Sequence, residues 1–389
     1  MVLTKTDPNY RQCTISVMDN IADPDITFNE EGICNYYFEY KAQETAEVYK
    51  GKEGDAKLHE VLESIKKQGK GKQYDCVTGI SGGVDSSYLV YMAKKWGLRP
   101  LIVHFDNGWN STIAVNNINN IIKKTGFDLY TIVVDWEEFR DLQLAYLKAS
   151  VVDIEVPTDH AINGTLSKLA ARYKIKYILS GNNVVTEAIL PPSWIFHKND
   201  YVNLVNINSK FSSRQLKTYP LFGLKEQYLY GMGKNIQTLK LLNYIPYTKA
   251  DAKQTIIKEM NWEDYGGKHY ESVFTKFYQA YILPHKFHID KRKPHLSNLI
   301  FSGQITKAEA LEELEKPLYT KAELQQEKEY VLKKFGLTES EFDALMKQPR
   351  IDHSFYGKQQ ALTTSYPLLK MLRPVKSFLQ RRRCQLEKK

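Results

Sequence analysis

Residues Tyr74–Trp96 read YDCVTGISGGVDSSYLVYMAKKW, and the fold follows from how this stretch divides. Cys76–Ile80 has the composition of a short buried strand. Ser81-Gly82-Gly83-Val84-Asp85-Ser86-Ser87 interrupts it. Leu89, Met92, Ala93 and Trp96 then recur at i, i+3, i+4 and i+7, the apolar stripe of a helix packed on a sheet. A strand, a glycine turn and a helix N-terminus in succession make an anion site. The first-turn N–H groups have no intrahelical partner, and the macrodipole favours negative charge there. Gly82 and Gly83 remove the Cβ atoms that would hold a phosphate off, while Ser81, Ser86 and Ser87 add hydroxyl donors. The G-x-x-x-x-G-K-[ST] pattern is missing, so no lysine lies in this cradle.

Downstream the rhythm is strand, helix, strand, helix. Leu101–Phe105, Leu129–Val134 and Tyr177–Ser180 read as strands, with helical spacing between them at Ile118, Ile121 and Ile122, at Phe139, Leu142 and Leu147, and at Ile162, Leu166, Leu169, Ala170 and Tyr173. The expected fold class is therefore α/β, a doubly wound parallel sheet whose ligands bind beyond the carboxyl ends of the strands. The polar groups that follow each strand fall at that end: Ser81–Ser87, His104–Asn110, Asp135-Trp136 and Gly181–Glu187.

Composition bounds the rest. The chain has 389 residues, 42% hydrophobic and 25% charged, the make-up of a globular protein with room for a large appendage. No apolar run approaches the roughly 18–20 residues that span a bilayer, and MVLTKTDPNYRQ has no signal-peptide core. Four scattered cysteines, Cys13, Cys34, Cys76 and Cys384, suggest no disulfide framework, so a cytoplasmic location is expected. The net charge of +9 suits an anionic ligand without choosing one. Part of it sits in Arg381–Arg383, Lys388 and Lys389, read as a solvated end in preference to a membrane or nucleic-acid contact.

Residues 1–40 form an N-terminal appendage around Cys13 and Cys34, 41–245 the nucleotide domain, and 246–389 a mostly helical C-terminal region. Residues 188–245 are expected to be loops over the site. Three Thr-x-x-Glu boxes, Thr306/Glu309, Thr320/Glu323 and Thr338/Glu341, mark successive helix starts. Tyr270, Phe274, Phe277, Tyr278 and Tyr281 form an aromatic stripe better read as core than as a base-stacking platform.

The loop string resembles the SGGxDS signature of the PP-loop ATP pyrophosphatases, which split ATP into AMP and pyrophosphate and adenylate a carbonyl oxygen. Further stretches narrow the resemblance: VMDNIADPDITFNEEGICN, VHFDNGWNS, VPTDHAI, GGKHYES, KFHIDKRKPHLS, LIFSGQITKAEAL and ISGGVDSSY itself with its tyrosine. Together they sample Val17 through Leu311, and they look like the N-acetyl sugar amidotransferases that make acetamidino sugars for bacterial O-antigens and related lipopolysaccharide glycans. One departure is plain. That family carries two Cys-x-x-Cys pairs near its N-terminus, whereas here the second members are Ser16 and Tyr37. The appendage is then a degenerate zinc-ribbon-like element, and zinc on Cys13 and Cys34 is not expected, since a structural site wants four ligands.

The resemblance implies ATP and Mg²⁺ as cofactors and a sugar nucleotide as substrate. It implies that Ser81, Gly82, Gly83, Val84, Asp85, Ser86 and Ser87 bind pyrophosphate, that His104, Phe105 and Asp106 cup adenine, and that Gly181 and Asn182 line the ATP site. Asp85 and Glu187 are candidate magnesium ligands, although Glu187 reads equally as an exposed helix-cap carboxylate. Candidate catalytic groups are Asp85, Glu155, Asp159, His160, His269 and Glu271, with His160 as an acid or base for incoming ammonia; its bland reading is a satisfied histidine beside a capping Asp159. Trp109, Asn110, Lys268, Lys286, Asp290, Lys291 and Arg292 are candidate substrate residues, against the plainer view that a Lys/Arg run is a solvated face.

No cysteine lies at position 2 or on a nucleophile elbow, so the chain is not expected to release ammonia from glutamine itself. The resemblance implies a separate glutaminase and a barrel-type ammonia-channel partner like the histidine-pathway pair. Two other readings remain: a PP-loop tRNA-modifying enzyme, disfavoured by the lack of any Cys-x-x-Cys, and a nucleotide-binding module without turnover. The choice of sugar and the oligomeric state are not readable from sequence.

Overall fold

The structure is a computed structural model that describes residues 6–267 and 270–360. Lys268 and His269, and the basic tail with Cys384, lie outside the described residues.

Two helices, α1 (Asn35–Glu47) and α2 (Gly51–Gly69), lead into the alternating core. The core runs β1 (Cys76–Gly79), α3 (Val84–Lys95), β2 (Pro100–Asp106), α4 (Thr112–Thr125), β3 (Leu129–Val133), α5 (Trp136–Lys148), α6 (Val156–Arg172), β4 (Tyr177–Leu179) and α7 (Val184–Glu187). Every strand pairing is parallel, in the order β3-β2-β1-β4-β5. β2, PLIVHFD, is buried over its first six residues, as a central parallel strand covered on both faces must be. β3 is an edge strand, and there Val133 is 71% exposed. Helix ends follow the local chemistry. Ser111 Oγ accepts from the Ala114 N–H to start α4, and Gly126 at φ 72° ends it.

The order matters for the site. From β1 the chain steps outward to β2 and β3, then α5 and α6 carry it back across to β4 on the other side of β1. The crevice between the carboxyl ends of β1 and β4 is thus the switch point at which such sheets bind ligands.

Residues 188–245 are not mainly loops, as the sequence suggested. They contain α8 (Tyr201–Phe211), α9 (Leu224–Tyr228) and a fifth strand, β5 (Gln237–Leu239), paired with β4. β5 is three residues long and mostly exposed, so it exists by pairing rather than by any apolar pattern. The C-terminal region is helical: α10 (Lys249–Met260), α11 (Val273–Phe277), α12 (Leu283–Phe287), α13 (Arg292–Phe301), α14 (Lys307–Glu315), α15 (Lys321–Phe335) and α16 (Glu339–Lys347). All three Thr-x-x-Glu boxes form complete capping boxes, at the starts of α14, α15 and α16. Phe274, Phe277 and Tyr278 are buried in one hydrophobic cluster with Phe105, Phe139, Tyr146 and Phe335, so the aromatic stripe is core shared between the sheet side and the C-terminal helices. Among the described residues no helix is long and apolar enough to cross a membrane.

α7 has four residues, too few to hold itself together. Asn298 of α13 supplies the missing bonds. Its Oδ1 accepts from the Ala188 and Ile189 N–H groups at 2.9 and 3.2 Å, and its Nδ2 donates to the Val184 and Val185 carbonyls at 3.0 and 2.7 Å. Asn298 is fully buried, so Asn298→Ala strands three backbone groups, while the Val185 carbonyl keeps Gln304 Nε2 at 3.4 Å. The expected cost is on the order of 3 kcal/mol or more, read as a lower urea midpoint with unchanged slope.

Candidate functional site

Ser81–Ser87 forms a tight turn at the carboxyl end of β1 and opens α3. Ser81 Oγ accepts from the Gly83 N–H at 3.2 Å, and Ser86 Oγ lies 3.3 Å from Ser81 N and from the Gly83 carbonyl oxygen. The N-cap of α3 is Gly83, which has no side chain to cap the first turn, unlike Ser111 at α4 and Asp135 at α5. Gly82 sits at φ +85°, and a Cβ there would lie 2.7 Å from the Ala114 carbonyl oxygen. Its glycine is thus demanded by the packing of the loop on α4 as well as by any phosphate. Gly181 presses on α3 from the β4 side, where a Cβ would come 3.1 Å from Ser86 N. Asn182 and the buried Asn183 follow it, and Asn183 Nδ2 reaches Asp85 Oδ1 at 3.4 Å. Ser87 departs from expectation: it is fully buried, so its hydroxyl does not face the crevice. Helix periodicity turns it inward, one position beyond the exposed end of the turn.

Three residues far away in sequence close over the loop, and the motif pattern carried no signal for them. Tyr247 donates its hydroxyl hydrogen to Asp85. Trp262 Nε1–H donates to the Gly82 carbonyl oxygen at 2.8 Å. Tyr265 hydrogen-bonds Glu271 and the Val84 amide, and a Cβ on Gly83 would lie 3.2 Å from Glu271 Oε1 and 3.3 Å from the Tyr265 hydroxyl. Burial and then the Asp85 carboxylate push Tyr247 far above the ordinary phenol range, with Glu187 adding to it. Burial and then Glu271 do the same to Tyr265. Asp85, Glu187 and Glu271 therefore gather around one helix N-terminus. Glu271 is held by main-chain pairing: its carbonyl accepts from the Ser111 N–H at 2.9 Å, so it lies in an extended segment just before α11 rather than on a helix start.

On the β2 side, Gly79 pairs with Val103, so β2 runs three residues beyond the end of β1, and His104, Phe105 and Asp106 border the crevice. His104 Nδ1 is 3.2 Å from the Ile80 carbonyl oxygen and its Nε2 is 3.3 Å from Asn110 Nδ2, while Asn110 also donates to Asp106 Oδ1 at 3.0 Å. Trp109 does not line this space. It is 1% exposed, stacks on Phe274 and donates Nε1–H to Gln143 at 2.6 Å, which makes it core.

The remaining candidates separate into two groups. His160 is fully buried, with Nδ1 2.9 Å from the Lys198 carbonyl oxygen and Nε2 accepting from the Phe222 N–H at 2.9 Å. Both ring nitrogens are occupied by the main chain and burial lowers its pKa to about 4, so it is a neutral structural histidine and not an acid or base for ammonia. Lys286 donates to the Leu345 carbonyl near the end of α16. Arg292 is bidentate to Asp290 and donates to the Glu313, Leu314 and Lys316 carbonyls at 3.1, 3.2 and 2.8 Å, capping α14. These three are spent on helix ends, which removes them from a sugar-nucleotide site. Glu155, Asp159 and Lys291 do come together, joined by Asp153 and Lys198. Lys198 Nζ bridges Asp153 at 2.8 Å and Asp159 at 2.9 Å.

At the N-terminal appendage, Cys13, Ser16 and Cys34 converge and are all fully buried. The Cys34 N–H donates to Cys13 Sγ at 3.3 Å, and Ser16 Oγ lies 3.9 Å from Cys34 Sγ. The hydrogen bond from Cys34 lowers the Cys13 thiol pKa. Among the described residues no three His, Cys, Asp or Glu side chains form a metal-ligand group. A surface depression of about 750 Å³ along α2, bordered by Glu63, Ser64 and Lys67, lies at the opposite end of the sheet: Ser64 bonds Tyr177, the first residue of β4.

Comparison with known proteins adds the following. Residues 271–373 match the family described as LPS biosynthesis protein WbpG-like, C-terminal domain. The chain is 35% identical over 68 residues to a tRNA(Ile)-lysidine synthase of Chlamydia pneumoniae, 16% of this chain and 21% of that protein. It is 35% identical over 82 residues to an uncharacterized protein of Methanocaldococcus jannaschii, 21% of this chain and 29% of that one. The matches thus span less than a third of these curated relatives. Similar solved structures include an NH3-dependent NAD synthetase from Campylobacter jejuni, at 15% identity and TM-score 0.29, covering 53% of this chain and 83% of that one. A U34-tRNA thiolase from Methanococcus maripaludis is at 12% identity and TM-score 0.30, covering 69% and 87%. At these scores the structural matches carry no argument about activity. The parallel sheet order makes the chain an α/β protein with the SGGVDSS turn at its switch point, and its residues 271–373 are similar to the WbpG-like LPS-biosynthesis C-terminal domain.

Proposed function

We propose that the protein is an ATP-dependent amidotransferase that adenylates the N-acetyl carbonyl oxygen of an acetamido sugar and lets ammonia replace it, releasing AMP and pyrophosphate. One observation supports this above the others: a helix N-terminus whose N-cap residue has no side chain, suited to phosphate, gathers Asp85, Glu187 and Glu271 around it. Phosphates and carboxylates repel each other unless a divalent cation lies between them. Magnesium, which commonly takes one or two carboxylates plus phosphate oxygens, fits Asp85 and Glu187, and would neutralise the departing pyrophosphate.

The chain's own residues account for the rest. Main-chain amides of Ser81–Ser86 hold the outer phosphates. The open edge of His104, Phe105 and Asp106 takes adenine. The amide oxygen attacks the α-phosphorus, the α–β anhydride bond breaks and pyrophosphate leaves. The resulting imidate carbon carries a good leaving group, ammonia attacks it and AMP departs, giving the acetamidine. Tyr247, Trp262 and Tyr265 fix the loop and exclude water while this occurs.

Ammonia comes from elsewhere. Cys76 lies inside β1, and Cys13 and Cys34 are buried in the appendage, so no described cysteine is placed as a glutaminase nucleophile. A separate glutaminase with a barrel-type channel subunit, acting in the cytoplasm on a sugar nucleotide, completes the reaction. Purified alone, the protein is expected to use ammonium salts and not glutamine. The deciding assay is pyrophosphate release with ATP, ammonium and a panel of nucleotide-linked diacetamido sugars, with product mass as readout. Glutamine-driven turnover by the pure chain defeats the partner proposal. ADP as product defeats the mechanism. Turnover on tRNA favours the tRNA-modifying reading, and ATP binding without pyrophosphate release favours a binding module.

A further inference from the structure

We infer that the recess walled by Asp153, Glu155, Asp159, Lys198 and Lys291 is an ammonium site, in which the Glu155 carboxylate takes the proton that ammonium must lose before its nitrogen can attack. This rests on the amidotransferase reading above and gives that reaction a base where His160 fails to supply one.

Topology puts the recess at the right end of the sheet. α6 precedes β4 in a parallel sheet and runs antiparallel to the strands, so its N-terminus, where Glu155 is the N-cap residue, lies at their carboxyl end with the phosphate loop. Thr275 Oγ1 donates to Glu155 Oε2 at 3.4 Å. Thr275 follows four residues after Glu271, whose Oε1 would lie 3.2 Å from a Cβ placed on Gly83. The recess and the loop are therefore joined through the start of α11.

Its charge selects the ligand. Asp153, Glu155 and Asp159 bring three carboxylates, and Lys198 and Lys291 bring two ammonium groups, so the site is one charge negative when all are ionised. A sugar-nucleotide phosphate or uronate is repelled; a small cation is not. Glu155 Oε1 is buried without a hydrogen-bond partner, so the carboxylate has acceptor capacity that the protein does not use. Ammonium supplies four N–H donors and one positive charge. Asp159, with its side chain 44% exposed, pairs with Lys198 and is open to solvent.

The electrostatics agree. Burial, then the Asp159 charge, raise the Glu155 pKa to about 7, with Asp153 adding and Lys198 and Lys291 opposing. A base poised there suits proton transfer at neutral pH. Lys291 is lowered mainly by burial. Lys198 is pulled down by burial but held high by Asp159 and Asp153. Tyr278, close to the three carboxylates, stays protonated, its hydroxyl donating to the Val152 carbonyl at 2.7 Å. In the step itself an ammonium N–H bond breaks and its proton goes to Glu155. The freed pair forms the bond to the adenylated carbon, and the C–O bond then breaks with its pair leaving on AMP. Glu155 then returns the proton to solvent.

The test uses the full chain. Glu155→Gln is expected to leave sugar-dependent ATP–pyrophosphate exchange within about twofold, while ammonium-dependent kcat/KM for amidine formation falls by about 100-fold or more and the acid limb disappears. Asp159→Asn, at an exposed side chain and safer for folding, removes a charge that raises Glu155, so the acid limb should move to lower pH. Thallous ion, a heavy stand-in for ammonium, should give an anomalous peak at the Glu155 carboxylate that Glu155→Gln abolishes. The proposal is overturned if Glu155→Gln keeps its ammonium kinetics and acid limb, if exchange and amidine formation fall in parallel, if Asp159→Asn leaves the limb in place, or if thallium avoids the recess. Should the wild-type protein release no pyrophosphate with any sugar, the amidotransferase reading fails by itself, and the thallium arm still decides the cation site.

Discussion

Gly82→Ala should cut pyrophosphate release by more than about 100-fold in kcat/KM for ATP, a larger loss than its effect on stability would suggest. The backbone at Gly82 is left-handed, φ +85°, which costs a residue with a Cβ about 1–2 kcal/mol. That strain alone is survivable. The added atom, however, would sit 2.7 Å from the Ala114 carbonyl oxygen and 3.1 Å from its Cα, and backbone cannot rotate away as a side chain can. The loop has to move, and with it the amides that hold phosphate and the carbonyl that accepts from Trp262. Gly97→Ala is the control. Gly97 has φ +66° with nothing within 4 Å of the added Cβ, so it should lower the melting temperature and leave the kinetics alone. Equal kinetic losses in the two variants would show that strain, and not displacement of the loop, is responsible.

Asp85→Asn should lower the rate of pyrophosphate release by a factor on the order of 10³, equivalent to about 4 kcal/mol of transition-state charge stabilisation. Asparagine keeps an oxygen that accepts from Tyr247, so the fold around α3 should be preserved while the charge is lost. The loss should appear together with a higher magnesium concentration for half-maximal rate, because one of the two proposed magnesium ligands has gone. Tyr247→Phe should have a much smaller effect, about tenfold, since it frees the Asp85 carboxylate without neutralising it. An Asp85→Asn enzyme with unaltered rate and magnesium dependence would remove Asp85 from the site.

Several features are legible in the amino-acid sequence because they depend on close neighbours along the chain. The strand–turn–helix of Cys76–Lys95 and the four strands from β1 to β4 follow from period and composition over short windows. The three Thr-x-x-Glu boxes close within four residues, and each opens a helix where its spacing places one. Other readings failed where a residue type was right and its direction was not. Ser87 belongs to the motif string but turns into the core. Trp109 follows a strand end, as a ligand contact would, yet packs on Phe274. Lys286 and Arg292 turn their charges to helix carbonyls, and Asp290 accepts from Arg292, rather than facing a common space.

What the sequence alone determined is local: which segment makes the glycine turn after the first strand, that the sheet is parallel, and where helices begin. These are set by bonding and packing within a few residues of chain. The tertiary structure decided which side chains share a space. Tyr247 lies 162 residues from Asp85, Trp262 lies 180 from Gly82, and Glu155 meets Thr275 across 120, so no periodicity links them. The same holds for the three-residue β5, which has little apolar pattern of its own and is a strand because β4 offers it hydrogen bonds. Long-range proximity is fixed by how the whole chain buries its apolar faces, and only once that burial is complete do Asp153, Glu155, Asp159, Lys198 and Lys291 come together.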